Sequence, residues 1–339
     1  MKKLYPLLSV LFLIYWGCED SMDNEKSFIE FTNLFGEGGD DGGFSVQQTT
    51  DGGYIITGYL SNIESGFDVW LIKIDGEGNE EWNKTFGGNG NDFGFSVQQT
   101  TDVGYIITGY SRSYGNGEED IWLIKTDSQG NEEWNKPYGG NEDDKSYSVQ
   151  QTTDGGYIIT GFTDSYGSGE YDIWLVKTDI EGNEEWNQTF GGSDDDMGYS
   201  VKQTTDGGYV LTGYSQSFGS GKSDIWLVKT DIEGNEEWNQ TFGGTDDDYG
   251  YSVKQTTDGG YVLTGYSQSF GSGESDVWLI KTDGQGNEEW NQTFGGSEDD
   301  RGYSGEQTTD GGYIITGQKG YDVWLIKTDP QGNTEPYGD

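Results

Sequence analysis

The chain has 339 residues, enough for two average domains or one large all-β domain, and a formal charge of −43. Glycine supplies 58 residues, proline 4 and alanine none. Alanine is the best helix former and glycine among the worst, so a helix-rich protein is excluded. The charge excludes electrostatic nucleic-acid binding, which needs a basic face. With no His, one Cys and only Arg112 and Arg301 as arginines, His-based acid–base chemistry, Cys/His zinc sites and an intrachain disulfide are excluded as well.

Met1-Lys2-Lys3 is a short positive start, and residues 4–16 form an apolar run too short to cross a bilayer, which takes roughly 20 residues. It fits a secretory h-region and ends in Tyr15-Trp16-Gly17-Cys18. Gly followed by the chain's single Cys resembles the lipobox of bacterial lipoproteins, although Tyr15 stands where that family usually has Leu. The resemblance implies lipidation at Cys18, export across the inner membrane and contact with a membrane only through the lipid. The alternative is an ordinary signal peptide. Glu19 to Lys26 reads as an acidic tether and resembles the surface-export signal of some Gram-negative lipoproteins. Asp20-Ser21-Met22 resembles an O-glycosylation site of such bacteria. The division is therefore 1–18 signal, 19–27 tether and 28–339 folded domain.

From residue 28 on, one unit is repeated. TTDGGY (once TTDVGY) places its Asp at 51, 102, 154, 206, 258 and 310. The motif [IV]WL[IV]K places Trp at 70, 122, 174, 226, 278 and 324, and EEWN places it at 82, 134, 186, 238 and 290. Together with Trp16 these account for all 12 tryptophans. Within one unit, 251–256 alternates apolar and polar, Asp258-Gly259-Gly260 is a turn, and 261–266 is a second strand. A Gly/Ser loop leads to a third strand at 277–280, apolar at both parities and so expected to be covered on both faces. Residues 282–287 form a hairpin turn before a fourth strand at 288–295. Four antiparallel strands at a period near 52 make a propeller blade. The expected fold is an all-β, six-bladed β-propeller, in preference to a β-solenoid. Strand four occurs only five times, but Ile29 to Gly36 aligns with it, Phe31 on Trp82 and Phe35 on Phe86. The N-terminal strand is expected to complete the last blade and close the ring.

Lys229-Thr230-Asp231-Ile232-Glu233-Gly234-Asn235-Glu236-Glu237-Trp238 resembles the tryptophan-docking motif of quinoprotein-type propellers, a layout also found in outer-membrane assembly lipoproteins. It implies blade packing and not cofactor binding; those relatives typically have eight blades. Across 28–339 the chain resembles secreted repeat propellers of bacteria and archaea built on DGGYIITG…WLIKTD..GN..W…FGG. Thr256-Thr257-Asp258-Gly259-Gly260 partly resembles the Asp-box turn of sialidases, but two arginines cannot build the arginine triad of that family.

Three sets of residues could carry function. Asp41, Asp92, Asp144, Asp196, Asp248 and Asp300, in the links between blades, could ring one face and bind calcium, a hard cation that prefers carboxylates; the simpler expectation is that they cap turns. Tyr114, Tyr166, Phe218 and Phe270 on Gly/Ser loops suit sugar stacking or a protein partner, or else pack on their own blades. Gln48, Gln99, Gln151, Gln203, Gln255 and Gln307 either line the channel or, more simply, bond between blades. No catalytic set emerges, because residues 198–249 and 250–301 differ at only 8 positions and catalysis needs unlike groups at one place. Asn83, Asn187, Asn239 and Asn291 fit the N-glycosylation triplet, which has meaning only in an archaeal host. The expectation is a monomeric, lipid-anchored cell-envelope propeller that binds a protein or glycan. A structural scaffold is the alternative, and a carboxylate-based hydrolase the third reading.

Overall fold

The computed structural model describes residues 32–36, 39–62 and 66–334. Cys18, the tether and Phe31 lie outside them. Among the described residues there are 23 strands and no helix, hence no helix long and apolar enough to cross a membrane. The strands form six antiparallel sheets, five of four strands and a last one of three, each ordered as in the sequence. Successive first strands lie side by side around an axis, which makes the assembly a six-bladed β-propeller.

The fourth blade shows the local logic. Its strands are Asp196–Gln203, Tyr209–Ser215, Asp224–Thr230 and Glu236–Phe242. The Thr204 to Gly208 turn joins the first two; Asp206 accepts from the Thr204 hydroxyl (2.5 Å) and the Gly208 amide (3.1 Å), and Gly207 takes φ +92°. The third strand is buried throughout, as its double apolar parity predicts. A buried lysine closes the blade's lower end: Lys229 reaches Asp206 at 3.1 Å, Glu237 at 2.8 Å and the Thr230 carbonyl at 2.8 Å.

Blades join through alternating cores. Ile173, Leu175 and Phe190 of the third blade pack with Tyr209, Leu211, Trp226 and Val228 of the fourth, with Trp186 at the edge. The same set recurs at each junction from the first blade to the fifth. Trp186 meets Tyr209 edge-on at 5.8 Å and lies over Gly234, at the next blade's hairpin turn. The glutamines bond between blades: Gln203 and Gln255 accept from the Thr153 and Thr205 amides of the preceding blade, each at 2.9 Å.

At the seam between blades six and one, the N-terminal segment occupies part of the place expected of it. Phe35 packs against Trp70, Ile72 and Ile74, as a fourth-strand phenylalanine should, and Asn33 bonds to the Gly78 carbonyl. Among the described residues this segment forms no ladder with Asp322–Thr328, the outermost strand of the last blade. Packing is thinner there: Leu325 is 44% exposed, whereas Leu123, Leu175, Leu227 and Leu279 are fully buried.

Candidate functional site

Two kinds of connection meet on one face of the propeller. The links from strand four to the next blade's first strand carry the acidic residues, and the loops between strands two and three carry the aromatic ones. Hydrogen bonds tie them together: the Asp194 amide donates to Ser217 Oγ at 3.1 Å, and the Asp246 amide to Ser269 Oγ at 3.0 Å.

The carboxylates expected to ring this face are built into its turns. Asp92, Asp144, Asp196, Asp248 and Asp300 are fully buried. Asp144 accepts from the Gly140 amide (2.8 Å) and Ser165 Oγ (2.7 Å), and Asp248 from the Gly244 amide (2.9 Å) and Ser269 Oγ (2.7 Å). Asp196 and Asp300 take the Gly192 and Gly296 amides, Asp92 takes Gly88, and Asp41 takes Ser61. Among the described residues, no group of three or more acidic or Cys side chains is placed to hold a metal. What spacing alone did not reveal is a second aspartate at each junction. Asp120, Asp172, Asp224 and Asp276 open the third strands, and each approaches the capping aspartate of the next blade across a glycine: Gly139, Gly191, Gly243 or Gly295. Burial, reinforced by the neighbouring carboxylate, pushes the Asp120, Asp172 and Asp224 carboxyls above the usual range. One oxygen each of Asp120, Asp144, Asp196 and Asp248 is buried without a hydrogen-bond partner.

The four loop aromatics both pack and remain accessible. Tyr114, Tyr166, Phe218 and Phe270 lie over Trp122, Trp174, Trp226 and Trp278 at 4.9 to 5.4 Å, while 42 to 48% exposed. The tyrosines also donate to the Gly87 and Gly139 carbonyls of the preceding blade, at 3.1 and 3.2 Å. A cavity lies beside each of the two phenylalanine rings. One of about 190 Å³ is lined by Phe190, Phe218, Trp226, Glu236 and Asn239, and its copy one blade on, of about 200 Å³, by Phe242, Phe270, Trp278, Glu288 and Asn291. The Trp226 indole donates to Asn239 Oδ1 at 3.2 Å, and Asn239 Nδ2 to Glu236 at 2.6 Å. Asn239 of the Asn-Gln-Thr triplet thus holds the indole in place.

The innermost strands carry a feature the repeat pattern concealed. A bulge in each leaves Phe44, Phe95, Tyr147, Tyr199, Tyr251 and Tyr303 outside the ladder. Their rings form a continuous arc around the channel, each within 4.8 to 5.5 Å of the next.

No family model matches the chain. It is 26% identical over 200 residues to the regulatory protein FlaEY of Caulobacter vibrioides, a match covering 51% of this chain and 21% of that protein. The chain therefore spans about a fifth of that relative's length. Among solved structures, puromycin hydrolase superposes with a TM-score of 0.52 at 13% identity, over 85% of this chain and 45% of the hydrolase. Sqt1 from Chaetomium thermophilum superposes with a TM-score of 0.48 at 11% identity, over 89% of this chain and 84% of Sqt1. At these identities the hydrolase likeness speaks to the propeller fold alone.

Proposed function

We propose that the protein is a lipid-anchored, extracytoplasmic interaction module that binds a glycan or protein partner through the aromatic rim and has no catalytic role. The observation that carries this reading is the cavity beside Phe218 and its copy beside Phe270. Each combines an accessible ring, a fixed indole and an amide–carboxylate pair, which is the mix of apolar wall and oriented polar groups that a small recognition site uses. Repetition around the rim suits a repetitive ligand, since linked weak sites gain by avidity. The regulatory character of FlaEY accords with an interaction module. Cys18 behind an apolar leader supports anchoring in the cell envelope, and the acidic tether supports export to the outer-membrane surface.

A glycan array probed with wild type and with Phe218→Ala/Phe270→Ala tests the rim. Specific binding lost in the variant supports the module; binding to no glycan and to no envelope protein in a cross-linking screen leaves the scaffold reading. Radiolabelled palmitate incorporation that disappears in Cys18→Ser tests the anchor.

A second reading adds calcium at the blade junctions, favoured by the unpartnered oxygens of Asp120 and Asp144. A hard cation between paired carboxylates relieves their repulsion. Thermal melts in calcium and in chelator test it: a saturable rise absent with monovalent salt supports the cation, and coincident melts reject it.

A further inference from the structure

The departures from six-fold symmetry at Val103, Pro137, Lys145 and Gly305 lie at separate places in the blades. One set is clustered. At the penultimate position of each innermost strand the residues are Gln47, Gln98, Gln150, Lys202, Lys254 and Glu306. The first three are staples: Gln47, Gln98 and Gln150 accept the backbone amides of Gln99, Gln151 and Gln203 on the following blade, at 2.6, 2.6 and 2.8 Å. Two residues earlier, Ser148 and Ser200 accept the Val201 and Val253 amides, both at 3.3 Å, so the edge amides of each innermost strand face the blade before it.

Lys202 and Lys254 break the staple on two adjacent blades. An ammonium only donates, so at these two junctions the Gln255 and Gln307 amides face a second donor where the other blades provide an acceptor. The lysines on the third strands are each clamped by carboxylates, as Lys177 is by Asp154 and Glu185. Among the described residues, neither Lys202 nor Lys254 makes a hydrogen bond or ion pair, in a chain with 61 acidic residues. Both are half-buried, and Glu306 holds the equivalent position on the blade after Lys254. The channel wall strips water from Lys202, and the Lys254 charge adds to this against the opposing pull of Glu306; its ammonium is brought down to about 7, so Lys202 is the charged, donor-only group of this pair below that pH.

We propose that Lys202, Lys254 and the Gln255 and Gln307 backbone amides form a binding site for a small oxyanion, a carboxylate or a phosphate, inside the channel. Two donor pairs facing each other across neighbouring blades are satisfied together by an anion between them, and ammonium and amide groups are the donors that hold such ions best. The aromatic arc lies three residues up each strand, so the anion enters from the face of the Asp-Gly-Gly turns, opposite the acidic rim. That separation makes the site independent of rim binding.

The test compares the full chain with Lys202→Gln/Lys254→Gln, which restores the residue used by the first three blades. Melting midpoints are followed against sodium phosphate and sodium acetate, with sodium chloride at matched ionic strength as reference. The expected result is a saturable rise with phosphate, acetate or both, at least ten-fold weaker in apparent affinity in the variant, and shifts of the Gln255 and Gln307 amide resonances in the wild type. A response to phosphate alone identifies a phosphoryl ligand, and one to acetate alone a carboxylate. Should the glutamine variant fold poorly, Lys202→Met/Lys254→Met serves in its place. No rise beyond chloride, or a rise undiminished in the variant, overturns the proposal. Phe218→Ala is expected to leave the anion response unchanged, which separates this site from the rim.

Discussion

The indole of Trp186 lies over Gly234 of the following blade, so close that a methyl group placed on Gly234 would sit 2.5 Å from the indole Cζ3. The same contact joins Trp82 to Gly130, Trp134 to Gly182, Trp238 to Gly286 and Trp290 to Gly332. Gly234 also takes φ +81°, where a side chain is strained. Gly234→Ala is therefore expected to destabilise the protein by about 2–4 kcal/mol, the sum of backbone strain and overpacking. Urea denaturation checks this; an unchanged midpoint would mean the turn moves away from the indole at little cost.

Val103 makes the opposite case. It takes φ +65°, 50% exposed, at the turn position where the other five blades have glycine. A β-branched residue there is strained and packs on little. Val103→Gly is expected to stabilise by about 1 kcal/mol, read as a rise in melting midpoint.

The buried aspartate pairs set a pH dependence. The Asp120 carboxyl, raised by burial and by Asp144, contributes stability that is present below the ordinary carboxylate pKa and is lost as pH rises through its folded value. Asp120→Asn keeps an acceptor for the Gly117 amide and removes the charge beside Asp144. In chelator at pH 7 it should be more stable than wild type by about 1 kcal/mol, with the gain shrinking as pH falls below the folded pKa. Asp51 and Asp258 act in the other direction. The Thr49 hydroxyl, with the Gly53 amide and Lys73, brings Asp51 down to about 2. Against its burial, Thr256, Gly260 and Lys281 bring Asp258 to about 2 as well. Their contribution is present above the ordinary carboxylate pKa and is lost as pH falls toward 2. Urea midpoints measured from pH 2 to 8 separate the two effects.

The seam predicts an asymmetry between equivalent leucines. Leu227→Ala should cost about 2–5 kcal/mol, as for a fully buried core position. Leu325→Ala, at the same place in the last blade, should cost about 1 kcal/mol or less, because the residue keeps much of its exposure. Equal losses would show that residues 28–36 bury Leu325 in solution as a full fourth strand.

The fold was legible because the tryptophans recur at fixed intervals and the turns carry their own chemistry. The TTDGGY turn and the doubly apolar third strand are local signals, and the strand ends follow them closely. The blade-to-blade role of Gln203 could be reasoned out for the same cause, one copy per innermost strand. The acidic links were harder to read. Asp144 is buried by Ser165 and the Gly140 amide, groups 21 residues ahead and 4 behind it, and charge in the sequence does not distinguish a buried cap from a solvated ligand. The period-two alternation at Tyr251-Ser252 hid the bulge that turns Tyr251 into the channel. Lys202 and Lys254 were visible as substitutions of glutamine, but their meaning needed the partner amide, which belongs to another blade.

The contact between Trp186 and Gly234 has a direction: each of the first five blades offers an indole to the blade after it, and each of the last five receives one at its own hairpin turn. Every junction of this kind is built from the same two halves, so a 52-residue unit removed or copied whole would leave indole and glycine matched at the new join. Such a gene can lengthen or shorten by recombination between its own copies without inventing a new interface. The curvature that brings the last blade back to the first is then the constraint on how many copies survive.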